Sequence, residues 1–264
     1  MRRLRFAVGA VFFLWMGLSA GAQAAPGNHA ILSNGNLLHT LLAAPVLGQP
    51  YSAMVRHSST RTLADGTTIS HKGHHFIARD SEGRVRVEVR MARGSNGGPD
   101  TRMVFVRDPV AHTLTTWVVG PDTIKKIATT ITIPDEGSRK VVRHRKAVNP
   151  GRPQPVVTTE DLGMDTLQGV SVSVARKTTV VPAGRVGNDA PITKTLETWT
   201  SPDLKLVMKQ QYDDPRSGEK IVEMDQLSRA EPDPSLFHPP AGYVVKTAVE
   251  SLRELEQKLS AAQN

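Results

Sequence analysis

The feature that most constrains this chain is a two-residue period. Between Arg84 and Met91 the apolar residues Val85, Val87, Val89 and Met91 alternate with Arg84, Arg86, Glu88 and Arg90. That spacing puts every apolar side chain on one face of a strand and leaves the other face wet, which is the habit of an antiparallel sheet. The same period runs through Val170, Val172 and Val174, set against Ser171, Ser173 and Ala175. Turn chemistry punctuates it. Tyr51 to Arg61 and Thr67 to Arg79 flank Asp65-Gly66, a strong hairpin signal, and Asp80-Ser81-Glu82-Gly83 follows as a second turn.

Further along, Arg102 to Arg107 and Thr113 to Val119 form a hairpin around Asp108-Pro109, and Ile124 to Ile133 extends the meander. Strand signals return at Thr195 to Thr200, Leu204 to Tyr212 and Ile221 to Leu227, with Asp214-Pro215-Arg216-Ser217-Gly218 as the last tight turn. Helical spacing occurs near the two ends only. Leu37, Leu38, Leu41 and Leu42 predict a short amphipathic helix over Asn36 to Ala44. Thr247 and Glu250 are spaced as a capping box before Val249, Leu252, Leu255 and Leu259, with Glu254 and Lys258 as an i,i+4 pair. About ten strands with a helix near each end predict a mainly β fold, a curved antiparallel sheet or unclosed barrel. The two helices are the expected lids over one face.

The first segment is read as an address, not as fold. Met1-Arg2-Arg3-Leu4-Arg5 is basic, Phe6 to Leu18 is apolar, and Ala22-Gln23-Ala24 has the small-residue form of a signal-peptide cleavage site. The apolar run is shorter than the roughly 20 residues of a spanning helix. Cleavage after Ala24 leaves 240 residues, expected in the periplasm or outside the cell as a soluble protein without a transmembrane helix. The organisation expected is a signal peptide (1–24), a leader with its short helix (25–49), a β-rich domain (50–246) and a closing helix (247–264). A basic loop is expected within the domain at about 134–156.

With no cysteine in the chain, disulfides, thiolate metal sites and a lipid-bearing N-terminal cysteine are all excluded. The formal charge is +8, and +5 once the three leader arginines are gone. That is too mild for a dedicated nucleic-acid binder, and none is expected as partner. The basic residues concentrate in Arg139, Lys140, Arg143, Arg145 and Lys146. This proline-bounded segment is the candidate anion-binding element, against a reading as a solvated loop. It holds no aromatic residue for base stacking.

Motifs for nucleophilic or zinc-dependent catalysis are missing, and Asp108, Asp214 and Asp233 each precede proline, a turn signature. No catalytic residue, no cofactor and no enzymatic activity are expected. For a metal, the pair weighed is His57 and His74. With Asp65-Gly66 as a two-residue turn these face each other, while His75 points the other way and His71 lies on the opposite face. An exposed polar hairpin is the alternative, and no metal site is expected. The large apolar handles are Trp117 and Trp199, which line a hollow or fill the core. With them, Met103, Phe105, Leu204, Leu206 and Met208 are the candidate lining of an apolar ligand site.

Several phrases resemble a group of secreted bacterial proteins: Glu160-Asp161-Leu162-Gly163, Pro182 to Asn188, Glu197 to Leu204, and Glu231 to Phe237, with Arg79 to Arg84 and Asp108-Pro109-Val110 upstream. These are turn and strand-edge residues and carry no chemistry. More remotely, the order of elements is similar to the periplasmic lipoprotein-carrier fold of the LolA and LolB carriers and the RseB-type sensor. Pro234-Ser235-Leu236-Phe237 stands where such domains have a closing Pro-x-x-Phe. The resemblance implies an unclosed barrel whose hollow binds a lipid, an acyl chain, a lipoprotein or an apolar polypeptide. The chain departs from the pattern in its long basic insert and its low aromatic content. An envelope protein-interaction module without a small-molecule ligand is the second expectation.

Overall fold

Why the sheet forms is legible strand by strand, and a computed structural model of the chain shows how the strands join. It describes residues 41, 43–91, 101–121, 123, 126–133, 151 and 153–261. The expected signal peptide, most of the expected helix over Asn36 to Ala44 and the basic residues Arg139, Lys140, Arg143, Arg145 and Lys146 lie outside the described residues.

The strands are β1 (Tyr51–Thr62), β2 (Thr68–Arg79), β3 (Val85–Arg90), β4 (Arg102–Asp108), β5 (Thr113–Val119), β6 (Ile127–Thr132), β7 (Val156–Leu167), β8 (Val170–Val181), β9 (Ile192–Ser201), β10 (Leu206–Asp214), β11 (Gly218–Ser228) and β12 (Val244–Thr247). They make one sheet of twelve strands in the order β12-β6-β5-β4-β3-β2-β1-β11-β10-β9-β8-β7. All neighbours are antiparallel except β12 and β6, which run parallel. The two ends of the order do not meet, so the sheet is unclosed.

Two meanders, β1–β6 and β7–β11, join along a single seam, the β1–β11 pair. On one face of the first meander, Tyr51, Ala53, Val55, Ile77, Val85, Val87, Phe105, Leu114 and Ile133 form a buried cluster with Leu41. On the second, Val170, Val172, Val174, Trp199, Leu204 and Met208 form another, and Leu206, Met224 and Leu227 touch both. The sheet bends toward this inner face, as one hydrogen bond demonstrates. Arg79 of β2 reaches the Leu204 carbonyl, in the turn before β10, at 2.6 Å. At about 4.8 Å per strand, β2 and β10 stand roughly 14 Å apart in a flat sheet, too far for one arginine.

The opposite, outer face carries a third cluster: Ala78, Val104, Val106, Trp117, Ala128 and Phe237. Phe237 arrives on a 3-10 helix, Pro234–Phe237, capped by the Asp233 carboxylate. Arg86 fastens this strap, donating to the Leu236 carbonyl at 2.6 Å while its guanidinium lies over the Trp117 ring. Tyr243 adds a bond to the Val118 carbonyl. Helix α1 (Ala248–Ala261) opens with the expected capping box, Thr247 and Glu250 exchanging hydrogen bonds. Its main contacts are β12 and β6 at the sheet's end, so it sits beside the sheet edge and not as the expected lid. The lid on the inner face is the strand-less segment before β1. Arg107 donates to the Ala43 carbonyl and Arg79 to that of Gln49, at 2.9 Å.

Two corrections concern the first hairpin and the strand count. Asp65-Gly66 is not a two-residue turn: Leu63 accepts from Gly66 and donates to Thr67, leaving the three-residue loop Ala64-Asp65-Gly66 with Gly66 at φ +84°. Strand β7 and the parallel β12 had no alternation to announce them, because both are exposed along most of their length.

Gly218 opens β11 with φ +79°, and a Cβ there collides with the Thr60 carbonyl of β1. Gly218→Ala is expected to destabilise the protein by about 2–3 kcal/mol, because positive φ and a backbone clash add. Urea unfolding measures this, and an unchanged midpoint would contradict so close an approach at the seam.

Candidate functional site

The inner face is sealed at one end and open at the other. Across the strands, in register, Tyr51, Arg79, Val85, Arg107 and Leu114 form a row in which every residue is buried. One step along, Ala53, Ile77, Val87 and Phe105 are buried and Thr116 is half-buried. The next row is Met224, Val55, His75, Val89, Met103 and Val118, in which all but Val55 are half-buried. Beyond it Val222 faces His57, which faces Gly73. The open row crosses six strands, about 24 Å at the usual strand spacing. Its apolar side chains are continuous with those of Ile131, Leu206 and Leu227.

The two imidazoles form a polar rim on this greasy row. The three-residue loop shifts the expected register by one, so His57 opposes Gly73 and His74 opposes Arg56. The expected His57–His74 pair is therefore replaced by His57 and His75, with ring centroids 6.2 Å apart. A one-residue slip moves each side chain to the other face. Gly73 is what lets the His57 ring lie flat on the neighbouring strand, since a Cβ there would run into it. Burial lowers the His75 pKa to about 4, with the nearby charge of His57 and His74 adding, and burial lowers that of His57 in the same way. Both rings are neutral at neutral pH, as suits an apolar row. Among the described residues no group of three or more His, Asp or Glu is placed to hold a metal ion.

The residues expected to line an apolar site fall in different places. Met103 is in the open row and Phe105 is buried one row deeper. Trp199, Leu204 and Met208 are buried in the second inner cluster, with Leu206 half-buried between the two clusters. Trp117 is on the outer face under the strap, away from the rest. The residues that sequence reasoning missed are Val89, Val118, Val222, Met224 and His75. Alternation marks Val89 as facing one way, and strand pairing alone tells which strands stand beside it.

A second groove, of about 650 Å³, runs over the β11–β1–β2 tips and includes Met54, Arg56, Lys72, His74, Ile221 and Glu223. Its charges are largely satisfied from within, Arg56 pairing with Glu223 at 3.2 Å and Asp225 at 3.5 Å.

No protein-family model and no curated protein matches the chain. Solved structures match at low similarity. MucB from Pseudomonas aeruginosa, in complex with MucA, is 12% identical over 78% of this chain and 59% of that one, with a TM-score of 0.37. The Mycobacterium tuberculosis lipoprotein LppX is 11% identical over 70% of this chain and 90% of that one, with a TM-score of 0.30. A LolA superfamily protein from Nitrosomonas europaea is 10% identical over 77% and 96%, with a TM-score of 0.26. The chain thus spans about three fifths of the MucB structure. With scores this low, the architecture rests on this chain's own strand pairing. No helix among the described residues is long and apolar enough to cross a membrane.

A histidine held neutral in the fold weakens it in acid. The unfolded chain takes up a proton near pH 6.5 and the fold does so only near His75's own value of about 4. Stability is therefore expected to fall from pH 6.5 to 4, by about 3 kcal/mol at most from this site. Urea midpoints across that window should be flatter for His75→Gln than for the wild type, and equal slopes would show that the ring is not held neutral.

Proposed function

We propose that this chain is a non-enzymatic binding protein of the cell envelope that takes the acyl chain of a lipid or lipoprotein along the open row of its inner face. The observation that carries the reading is the burial gradient. The same face that is fully sealed at Tyr51 and Arg79 is half-open at Met224, Val89, Met103 and Val118, which leave apolar side chains unsealed on four of the six strands that the row crosses.

The mechanism is burial without a covalent step. A methylene leaving water gains about 0.8 kcal/mol, so an extended chain laid across the row gains with each carbon it covers. Neutral His75 and His57 supply titratable side chains on the inner face of these two rows, and they stand at the tip end, where a headgroup meets water. Binding an envelope protein rests on a different part of the molecule, the free edge of β7.

Displacement of a fluorescent fatty acid from the purified chain tests the reading. A saturated acid longer by four methylenes is expected to bind about a hundredfold more tightly, as four burials at about 0.8 kcal/mol require. Affinity that does not rise with chain length, or no saturable displacement, would remove the acyl-chain reading.

A further inference from the structure

The two ends of the sheet are treated very differently. At one end β12 is only four residues long, and α1 follows directly and packs against it and β6. At the other end β7 runs for twelve residues, about 40 Å, and among the described residues pairs with β8 alone. It is exposed at every position but its last. Val156 is 61% exposed, Val157 51% and Met164 63%, so apolar groups project into solvent from both of its faces. An edge strand also directs the N–H and C=O groups of alternate residues away from its neighbour, and on that side of β7 no other strand of the described residues pairs with them. Proteins commonly blunt such edges with shortness, lysine or proline, and β7 has none of these.

What β7 does carry selects its occupant. Glu160, Asp161 and Asp165 are its only charged residues. Asp161 is spent locally, accepting from Gly163 to hold a bulge at φ +87°. Asp165 accepts from Trp199 Nε1 at 3.3 Å. Glu160 meets Arg176 at 3.5 Å, but that arginine is bound more closely by Glu197, at 2.8 Å. A second copy of this chain pairing edge to edge would bring three more carboxylates against these three, and like charges opposed across strands destabilise pairing. The bulge at Asp161–Gly163 further interrupts a long self-pairing register and leaves Val156–Asp161 as the longer of two regular stretches, the one with two adjacent exposed valines.

We infer that β7 is a docking edge for an extended polypeptide segment bearing basic residues, which adds as a further strand alongside Val156–Asp161. Backbone hydrogen bonds supply the attachment, Val156 and Val157 offer an apolar contact on each face, and the carboxylates set the preference for lysine or arginine. The site is separate from the inner-face row: none of its exposed side chains belongs to the inner clusters.

The test uses three short synthetic peptides with the full chain. One alternates valine and lysine, one replaces lysine by glutamate, and one is the lysine peptide with every backbone nitrogen methylated, so that neither of its edges can donate. The lysine peptide is expected to bind and to slow amide exchange within Val156–Leu167. The glutamate peptide should bind about tenfold more weakly or worse, and the methylated one not at all. Thr158→Lys combined with Glu160→Lys, both at exposed positions, should invert the preference and leave fatty-acid displacement unchanged. Equal affinity for the two charged peptides would overturn the inference. So would binding that survives methylation, protection outside β7, absence of binding, or a dimer joined through β7 in sedimentation.

Discussion

The Arg79 guanidinium holds the molecule in its bent form. It is a buried cation that meets no carboxylate among the described residues, clasped by the carbonyls of Gln49 and Leu204 and lying over the Tyr51 ring at 4.8 Å. Those contacts come from three places: the segment before β1, the β9–β10 turn and β1 itself. Burial presses against the charged form and lowers the Arg79 pKa, and the same burial pushes Tyr51 up to about 12 and keeps it a neutral phenol. A charge in a core is tolerable only where its donors are satisfied, so the arginine demands that the turn and the leading segment come to it. Once they do, the inner face is sealed at that end, while at the far end β1 and β2, twelve residues each, run out into half-buried and exposed positions.

A row that grades from sealed to half-open gives the inner face a direction. The apolar residues at the sealed end make the fold stable, and those at the open end are in contact with water in the absence of a guest. The outer face grades in the same sense, from Ala78 and Arg86 buried beside the strap that runs from Glu231 to Tyr243, through half-buried Phe76 and Glu88, to exposed His74 and Arg90, so its open end is charged where that of the inner face is apolar. Glu231 bonds to Ser81 on one side, Phe237 fills the space over Ala78 and Trp117, and Tyr243 bonds to β5 on the other. The placement of Trp117 under this strap explains why the two tryptophans, alike in sequence setting, do different work. Strand alternation says that a residue faces one way or the other, and only the global arrangement says which way is inside.

That distinction runs through what was readable in the sequence. Strands β1 to β6 and β8 to β11 announce themselves through a two-residue period, a run of β-branched and aromatic residues or a punctuating turn, and Asp108, Asp214 and Asp233 all hold turns or caps as their prolines suggest. The C-terminal helix announces itself through Thr247 and Glu250. Strand β7 was silent, since a strand wet on both faces has no period, and so was β12, whose pairing partner lies over a hundred residues away. The candidate site was legible only in part. Met103 and Leu206 come from alternation, whereas Val89, Met224 and His75 need the register, and the register of β1 with β2 turned on whether the loop held two residues or three. One residue in that loop decides which histidine sees the interior.

The seam between β1 and β11 has a consequence for how the chain is assembled. Each meander can form from neighbours in sequence, so both halves can zip as they emerge, but Val55 meets Met224 only after nearly the whole chain has been made. Contacts of such separation close slowly, and until they close both halves leave raw strand borders to the surroundings. The pairing of β1 with β11 is therefore the step of highest sequence separation in the sheet's assembly, and it alone turns two local meanders into one sheet.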